Sequence, residues 1–282
     1  MPFVMKFKLA VVQFEIKQFE PEINLKKAEN FIQEAKKAGS KVIVFPEDFI
    51  TGPIMKKKEF VDFDGKYRNH FQRLAKENAI DIVAGSWIEG DETGWYNTSY
   101  YIDKNGEIKG KYRKMNLWLP ERGQMTPGKD IAVFDTDYGK VGLIICWDLF
   151  FPEMFSKMVK EGVEIIYCPS YWLYEDAGEG IRYDKKSEIK LVDSLAVGRA
   201  FENGIIFVYT NAAGKKIIDG KTDSHLIGHS QITAPFKGSI KRLEHNEEQM
   251  LIEEIDTKII KDAWTSYKIR EDVKSTKPIN VY

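Results

Sequence analysis

Lys140-Val141-Gly142-Leu143-Ile144-Ile145-Cys146-Trp147-Asp148 is an apolar run with no charge after its first residue until it ends abruptly at a thiol. Its length suits a strand buried on both faces, the kind found where helices cover a sheet. Next comes Asp148-Leu149-Phe150-Phe151-Pro152, an acid and then a proline where a helix would begin, with Met154, Phe155, Met158 and Val159 following at helical spacing. Cys146 is therefore expected between a strand's exit and a helix N-terminus. Backbone N–H groups and the positive end of a helix dipole there favour thiolate over thiol and can bind a developing oxyanion. Taken alone, Cys146 has a plain alternative as a buried core cysteine.

Two further stretches bear on that choice. Val42-Ile43-Val44-Phe45-Pro46-Glu47 reads as another buried strand and delivers a carboxylate at its exit, where open α/β sheets place their ligand sites. Ile108-Lys109-Gly110-Lys111-Tyr112-Arg113-Lys114 is strand-like and ends in a lysine. Singly, Glu47 reads equally as a helix-start acid and Lys114 as a solvated charge. Together with Cys146 they would converge on one pocket.

These stretches resemble the nitrilase, or carbon–nitrogen hydrolase, superfamily, whose catalytic glutamate, lysine and cysteine occur in that chain order. Phe45-Pro46-Glu47 is similar to the glutamate motif, Tyr112-Arg113-Lys114 to the lysine motif, and Cys146-Trp147-Asp148 with Phe151-Pro152-Glu153 to the cysteine motif. A second glutamate of the family, after the lysine and before a Pro-Gly turn, falls on Glu121, ahead of Pro127-Gly128. Arg199-Ala200-Phe201-Glu202-Asn203 resembles the RAxEN helix end, and Gly228-His229-Ser230-Gln231-Ile232 with Pro235 resembles the late GxSxI strand. Two positions depart from the pattern: Asn116 stands where many relatives have histidine, and Phe150 where many have arginine.

Elsewhere the chain alternates strands and helices. Residues 7–14 read as a first strand, 22–38 as a helix with Leu25, Ala28, Ile32 and Ala35 on one face and Gly39 as its stop, so the opening is βαβ. Residues 66–78 repeat the helical pattern, and Asn105-Gly106 marks a hairpin between 97–103 and 108–114. Strands at 164–168 and 205–210 flank a helix over 185–202. The 282 residues contain no Ser/Gly/Pro-rich linker and are read as a single domain, 1–282, with 256–282 as a C-terminal tail that packs on a partner subunit or on its own domain. The residues alone give α/β; the resemblance implies a four-layer α-β-β-α sandwich with the site at the sheets' exit edge.

The 42 Lys and Arg against 43 Asp and Glu give no reason to expect nucleic acid or an anionic membrane as partner. No apolar run reaches a membrane span and the first residues lack a signal-peptide pattern, so a cytoplasmic location is expected. Two cysteines, Cys146 and Cys168, make no disulfide framework, and four scattered histidines make no metal site; no cofactor or metal is expected. The resemblance implies a homodimer or higher homo-oligomer.

The chemistry of the three groups suggests a mechanism. An amide carbon is a poor electrophile, so hydrolysis gains from a thioester route with Cys146 as nucleophile. Glu47 would take the thiol proton, pass it to the leaving nitrogen and later activate water. Lys114 and the backbone N–H of Trp147 would stabilise the oxyanion, at roughly 3 kcal/mol per donor. Glu121 is read either as a group positioning Lys114 or as an exposed loop acid beside Arg122. Trp118, Trp147, Tyr171 and Trp172, with Phe49 and Tyr174, are expected to wall an apolar cleft, and Glu175, Asp176 and Glu179 either face it, favouring an amine-bearing substrate, or are solvated. The expected substrate is a small aliphatic amide or an N-carbamoyl amine or amino acid. Nitrile hydrolysis by the same residues is the alternative within the enzyme class; a metabolite-binding or redox-sensing protein on this fold is the alternative outside it.

Overall fold

The computed structural model describes residues 4–218 and 220–275. Strand β1 (Lys6–Glu15) leads through helix α1 (Pro21–Lys37) to β2 (Val42–Val44), and α2 (Lys66–Asn78) precedes β3 (Asp81–Val83), β4 (Trp87–Asp91), β5 (Gly94–Ile102) and β6 (Ile108–Arg113). The next stretch runs β7 (Ala132–Thr136), β8 (Gly139–Leu143), α3 (Pro152–Lys160), β9 (Ile165–Ser170), α4 (Ser187–Asn203) and β10 (Ile206–Ala213). The chain then forms the hairpin β11 (Lys215–Ile218) and β12 (Lys221–His225), strands β13 (Gln231–Ala234), β14 (Gly238–Arg242) and β15 (Gln249–Asp256), and helices α5 (Lys258–Tyr267) and α6 (Ile269–Ser275).

Strands β4-β5-β3-β2-β1 form one sheet, with β6 beside β5 and β15 beside β1; β7-β8-β9-β10 form a second, continued by β13 and β14. The two meet edge to edge only where Phe14 and Glu15 pair with Ala212 and Ala213. Elsewhere they stack, and the parity of the strands shows how. Successive strand residues point to opposite faces. Phe7, Leu9, Val11, Val42, Val44 and Val83 pack against Val141, Leu143, Ile165 and Tyr167 of the second sheet. Their neighbours Ala10, Val12, Phe14, Ile43, Phe45 and Ile82 pack instead against Leu25, Ala28 and Ile32 of α1 and Tyr67, Phe71 and Leu74 of α2. Phe155 and Met158 of α3 and Val192 and Ala196 of α4 join the core from the far side. The result is the α-β-β-α sandwich that the motif resemblance implies.

The Asn105-Gly106 hairpin forms as expected, with Asp103 Oδ1 accepting the N–H groups of Asn105 and Glu107, both at 2.9 Å. The tail, through α6, folds back on its own chain. Ile260 and Ala263 are buried, Trp264 Nε1 donates to Gly204 O at 2.7 Å, and Arg270 lies over the Trp264 ring while donating to Val163 O. Residues 276–282, with Tyr282, lie outside the described residues. Among the described residues no helix is long and apolar enough to cross a membrane.

The strand ends at Leu143, and Cys146–Phe150 forms a short 3-10 turn before α3 begins at Pro152. Cys146 thus lies between the strand's exit and the helix, as expected, but at the head of the intervening 3-10 turn, and it adopts φ +48°, a left-handed conformation that is costly for a residue with a Cβ. The strand's last bond, Ile144 N–H to Tyr167 O at 3.1 Å, fixes where the turn begins.

Candidate active site

Glu47 leaves β2, Lys114 leaves β6 and Cys146 follows β8, so the first sheet supplies an acid and a base partner while the second supplies the thiol. The Glu47 loop can approach the neighbouring strand because residue 85 is glycine: a Cβ there would sit 2.1 Å from Pro46 O. Likewise Gly128 lets the Pro127-Gly128 turn close on the lysine segment, its N–H donating to Lys114 O at 2.8 Å, where a Cβ would collide with Arg113 O.

The buried side chains of Glu47 and Lys114 meet directly, Lys114 Nζ lying 2.8 Å from Glu47 Oε1. The same ammonium lies 2.7 Å from Glu121 Oε2. Asn97, in the middle of β5, donates to both carboxylates, at 2.9 Å to Glu47 and 3.0 Å to Glu121. Glu47 Oε2 accepts the Tyr171 N–H at 2.8 Å, and its carboxylate shares the cavity lining with the Cys146 thiol. Glu121 Oε2 accepts the Trp118 N–H at 2.6 Å. Of the two readings of Glu121, this geometry matches the one in which it holds Lys114.

Burial sets the charge states. It would lower Lys114, but the Glu121 and Glu47 carboxylates override it and raise the ammonium well above its ordinary range. Burial raises Glu47, against the pull of Lys114, which leaves a carboxylate more basic than usual. Burial and then the Glu47 charge push Cys146 well above the ordinary thiol range, with Lys114 opposing them. That direction favours the thiol over the thiolate, against the helix-favoured thiolate expected from the sequence.

The turn that carries Cys146 is pinned by Asp148, which is fully inaccessible to solvent. Its Oδ2 accepts Ile145 N–H at 2.9 Å and Tyr112 O–H at 2.7 Å; its Oδ1 accepts both the backbone and the side-chain N–H of Asn116 at 2.9 Å. Asn116, in the place of a common histidine, thus braces the cysteine turn from the lysine segment. From the other side Arg199 grips Leu149 O with Nε at 3.2 Å and Nη2 at 3.0 Å. Asp148→Ala strands four donors, two of them fully buried, and is expected to lower stability by about 3 kcal/mol or more, checked by urea unfolding at neutral pH.

Residues 171–173 are held by a relay from the sheet seam. Gln13 accepts the Ser230 N–H at 3.0 Å, Ser230 Oγ accepts the Asn211 N–H at 2.9 Å, and Asn211 brackets Trp172 through its N–H and its carbonyl. Tyr171 N–H is thereby aimed at Glu47.

Glu47, Lys114, Glu121, Cys146, Trp118 and Tyr171 line one cavity of about 370 Å³, alongside Ile54, Pro120, Met125 and Leu173. Trp147 and Trp172 do not line it. Trp147 turns away to pack on Trp118, ring centroids 4.4 Å apart, and Trp172 is buried behind the wall with Nε1 donating to Glu188 Oε2 at 2.6 Å. Just past β9 successive side chains still alternate, so the neighbour of a cleft-facing Tyr171 faces the opposite side; Trp147 lies in the 3-10 turn after the left-handed Cys146, where strand alternation no longer holds. Phe49 is core, stacked on Phe45. Of the acidic trio, Asp176 lines the cavity, Glu175 pairs with His225 at 3.0 Å and Glu179 with Arg182 at 2.7 Å.

Asn97 joins the site's hydrogen bonds, and Asp48, Lys56 and Lys216 join the cavity lining, without having been singled out as site residues in the sequence. A polar residue mid-strand and an acid next to Glu47 carry no separate signal, and Lys216 comes from a hairpin remote in sequence. A larger hollow, about 570 Å³, beside Trp264 and Arg270 has no cysteine, serine or histidine in its lining. Among the described residues no group of three His, Cys, Asp or Glu side chains could hold a metal ion.

Residues 8–263 match the family model described as carbon-nitrogen hydrolase. The 2-oxoglutaramate amidase of Bacillus subtilis (strain 168) is 30% identical over 274 residues, covering 96% of this chain and 98% of the relative. The N-carbamoylputrescine amidase of Arabidopsis thaliana is 29% identical over 265 residues, covering 88% and 86%. Among solved structures, Saccharomyces cerevisiae Nit3, a member of branch 10 of the nitrilase superfamily, superposes with a TM-score of 0.79 at 25% identity, covering 98% of this chain and 97% of that one.

Proposed function

Because this chain belongs to the carbon–nitrogen hydrolase family and is an amidase-like hydrolase, we propose that it cleaves a small linear amide or N-carbamoyl amine through a thioester on Cys146. The observation that carries this reading is the buried Glu47 carboxylate, 2.8 Å from the Lys114 ammonium and lining one cavity with the Cys146 thiol. A thiol raised by burial reacts only if a base removes its proton as the bond forms, and Glu47, itself made more basic by burial, lines the same cavity beside it.

The sulfur adds to the carbonyl carbon while its proton passes to Glu47. Charge builds on the carbonyl oxygen, where Lys114 and the Trp147 N–H act as donors. Glu47 returns the proton to the nitrogen, the C–N bond breaks, and ammonia leaves a thioester. Water then adds as Glu47 takes its proton, the C–S bond breaks, and the acid departs with the thiol restored. Glu121 and Asn97 hold Lys114 and Glu47 in register and touch no reacting atom. A homo-oligomer working in the cytoplasm belongs to the same reading and is supported by the family resemblance.

Ammonia release over a panel of aliphatic amides, ω-amides of dicarboxylates, N-carbamoyl amines and nitriles tests this, with acid-quenched samples weighed by mass spectrometry. The expected result is turnover of an amide or carbamoyl compound and an acyl adduct on the peptide bearing Cys146. Turnover of nitriles alone moves the reading to nitrile hydrolysis, and silence across the panel without any adduct overturns it.

A further inference from the structure

Two carboxyl groups in the cleft have no part in the chemistry just described. Asp48 follows Glu47 with φ +53°, is 6% exposed, and lines the cavity; its Oδ1 is buried and has no hydrogen-bond partner among the described residues. Asp176 lines the same cavity and is half-buried, its Oδ2 accepting the Leu173 N–H at 2.9 Å. Tyr171 sits within the field of both: after burial, the charges of Asp48 and Asp176 are the leading causes that raise its hydroxyl.

The cations of the cleft do not balance them. Lys114 is shared between Glu47 and Glu121. Lys216 lies 3.1 Å from Asp223, a carboxylate outside the lining. Lys56 is exposed to water, where its charge is screened. Among the described residues neither Asp48 nor Asp176 has an ion-pair partner, although both line the cavity that holds Cys146.

Resting on the amidase reading above, we propose that Asp48 and Asp176 select a substrate bearing an alkylammonium group at the end of its chain remote from the scissile C–N bond. An ammonium brings the donors that Asp48 Oδ1 lacks, whereas a carboxylate would add a like charge beside two acids. Burial and the charges of Glu47 and Glu121 raise Asp48 well above the usual carboxyl range, Lys114 opposing, and an ammonium beside it would favour the charged form that these causes disfavour. A cavity of about 370 Å³ fits a short linear chain.

The test separates binding from turnover. Calorimetry on Cys146→Ala protein at pH 8 compares 5-aminopentanamide, pentanamide and glutaric acid monoamide, matched chains ending in ammonium, methyl and carboxylate. The ammonium compound is expected to bind about tenfold or more tightly than the carboxylate. Asp48→Asn and Asp176→Asn, isosteric and each keeping an acceptor oxygen, are expected to shrink that ratio about fivefold each. Equal or tighter binding of the carboxylate, or a ratio that neither variant moves, overturns the proposal. Hydrolysis of the same three amides by the native enzyme is read alongside: failure to cleave any of them counts against the amidase reading, while the binding ratio still decides the charge preference.

Discussion

Cys146→Ala is expected to reduce ammonia release about 10⁴-fold or more while the protein keeps its fold. No other thiol can substitute, because Cys168, the second cysteine, is fully buried and its thiol is pushed up to about 12 by burial. Water entering in place of the sulfur would still meet Glu47 as a base, yet it would have to attack an amide directly, without the thioester that divides the barrier. Cys146→Ser should be nearly as inactive, since a hydroxyl is a weaker nucleophile and a weaker acid than a thiol. Both variants leave the Asp148 brace and the Arg199 grip on the turn intact, so melting temperatures close to the native value are expected. Retained turnover in a folded Cys146→Ala protein would remove the thioester route altogether.

Lys114→Met is expected to lower kcat about 10³-fold and stability by about 3 kcal/mol or more at neutral pH, an outcome no surface lysine would produce. The two losses share one cause. Lys114 is 2% exposed and stands between two carboxylates, so its removal leaves Glu47 and Glu121 buried against each other. Glu47, already raised by burial and by Glu121, loses the charge that pulls it down and moves further up. A carboxyl raised in the folded protein favours folding when protonated, and that contribution is lost as pH rises through the folded value. The stability deficit against native protein should therefore be smallest at acid pH and grow toward neutrality, which denaturant titrations across that interval can read. A deficit that does not change with pH would mean the lysine matters for packing rather than charge.

What the sequence made legible were groups whose placement follows from strand geometry. Glu47, Lys114 and Cys146 each end a run that can only be buried, and ends of such runs in this architecture meet at one edge. What stayed hidden depends on which way a side chain turns after the strand has ended. Tyr171 and Trp172 read alike, yet one faces the cleft and the other bonds Glu188 behind it. Asn97 sits in a strand whose polar residues look solvent-facing, and only stacking of the second sheet makes it an interior donor to two acids. The proline at 152 signalled a helix start correctly, but nothing in the spacing announced the 3-10 turn that separates it from Cys146.

The reacting groups are divided between two sheets that share only two residue pairs along their seam. A chain in which one sheet has formed without the other therefore holds either a base with no sulfur to activate or a thiol with nothing to deprotonate it. Because those contacts join residues far apart in sequence, closure of the two sheets on each other is expected to be slow relative to local structure formation, and the proposed site exists only once they have closed. During synthesis the nascent protein is thus chemically inert toward the cell's own amides and arms itself only once it is whole.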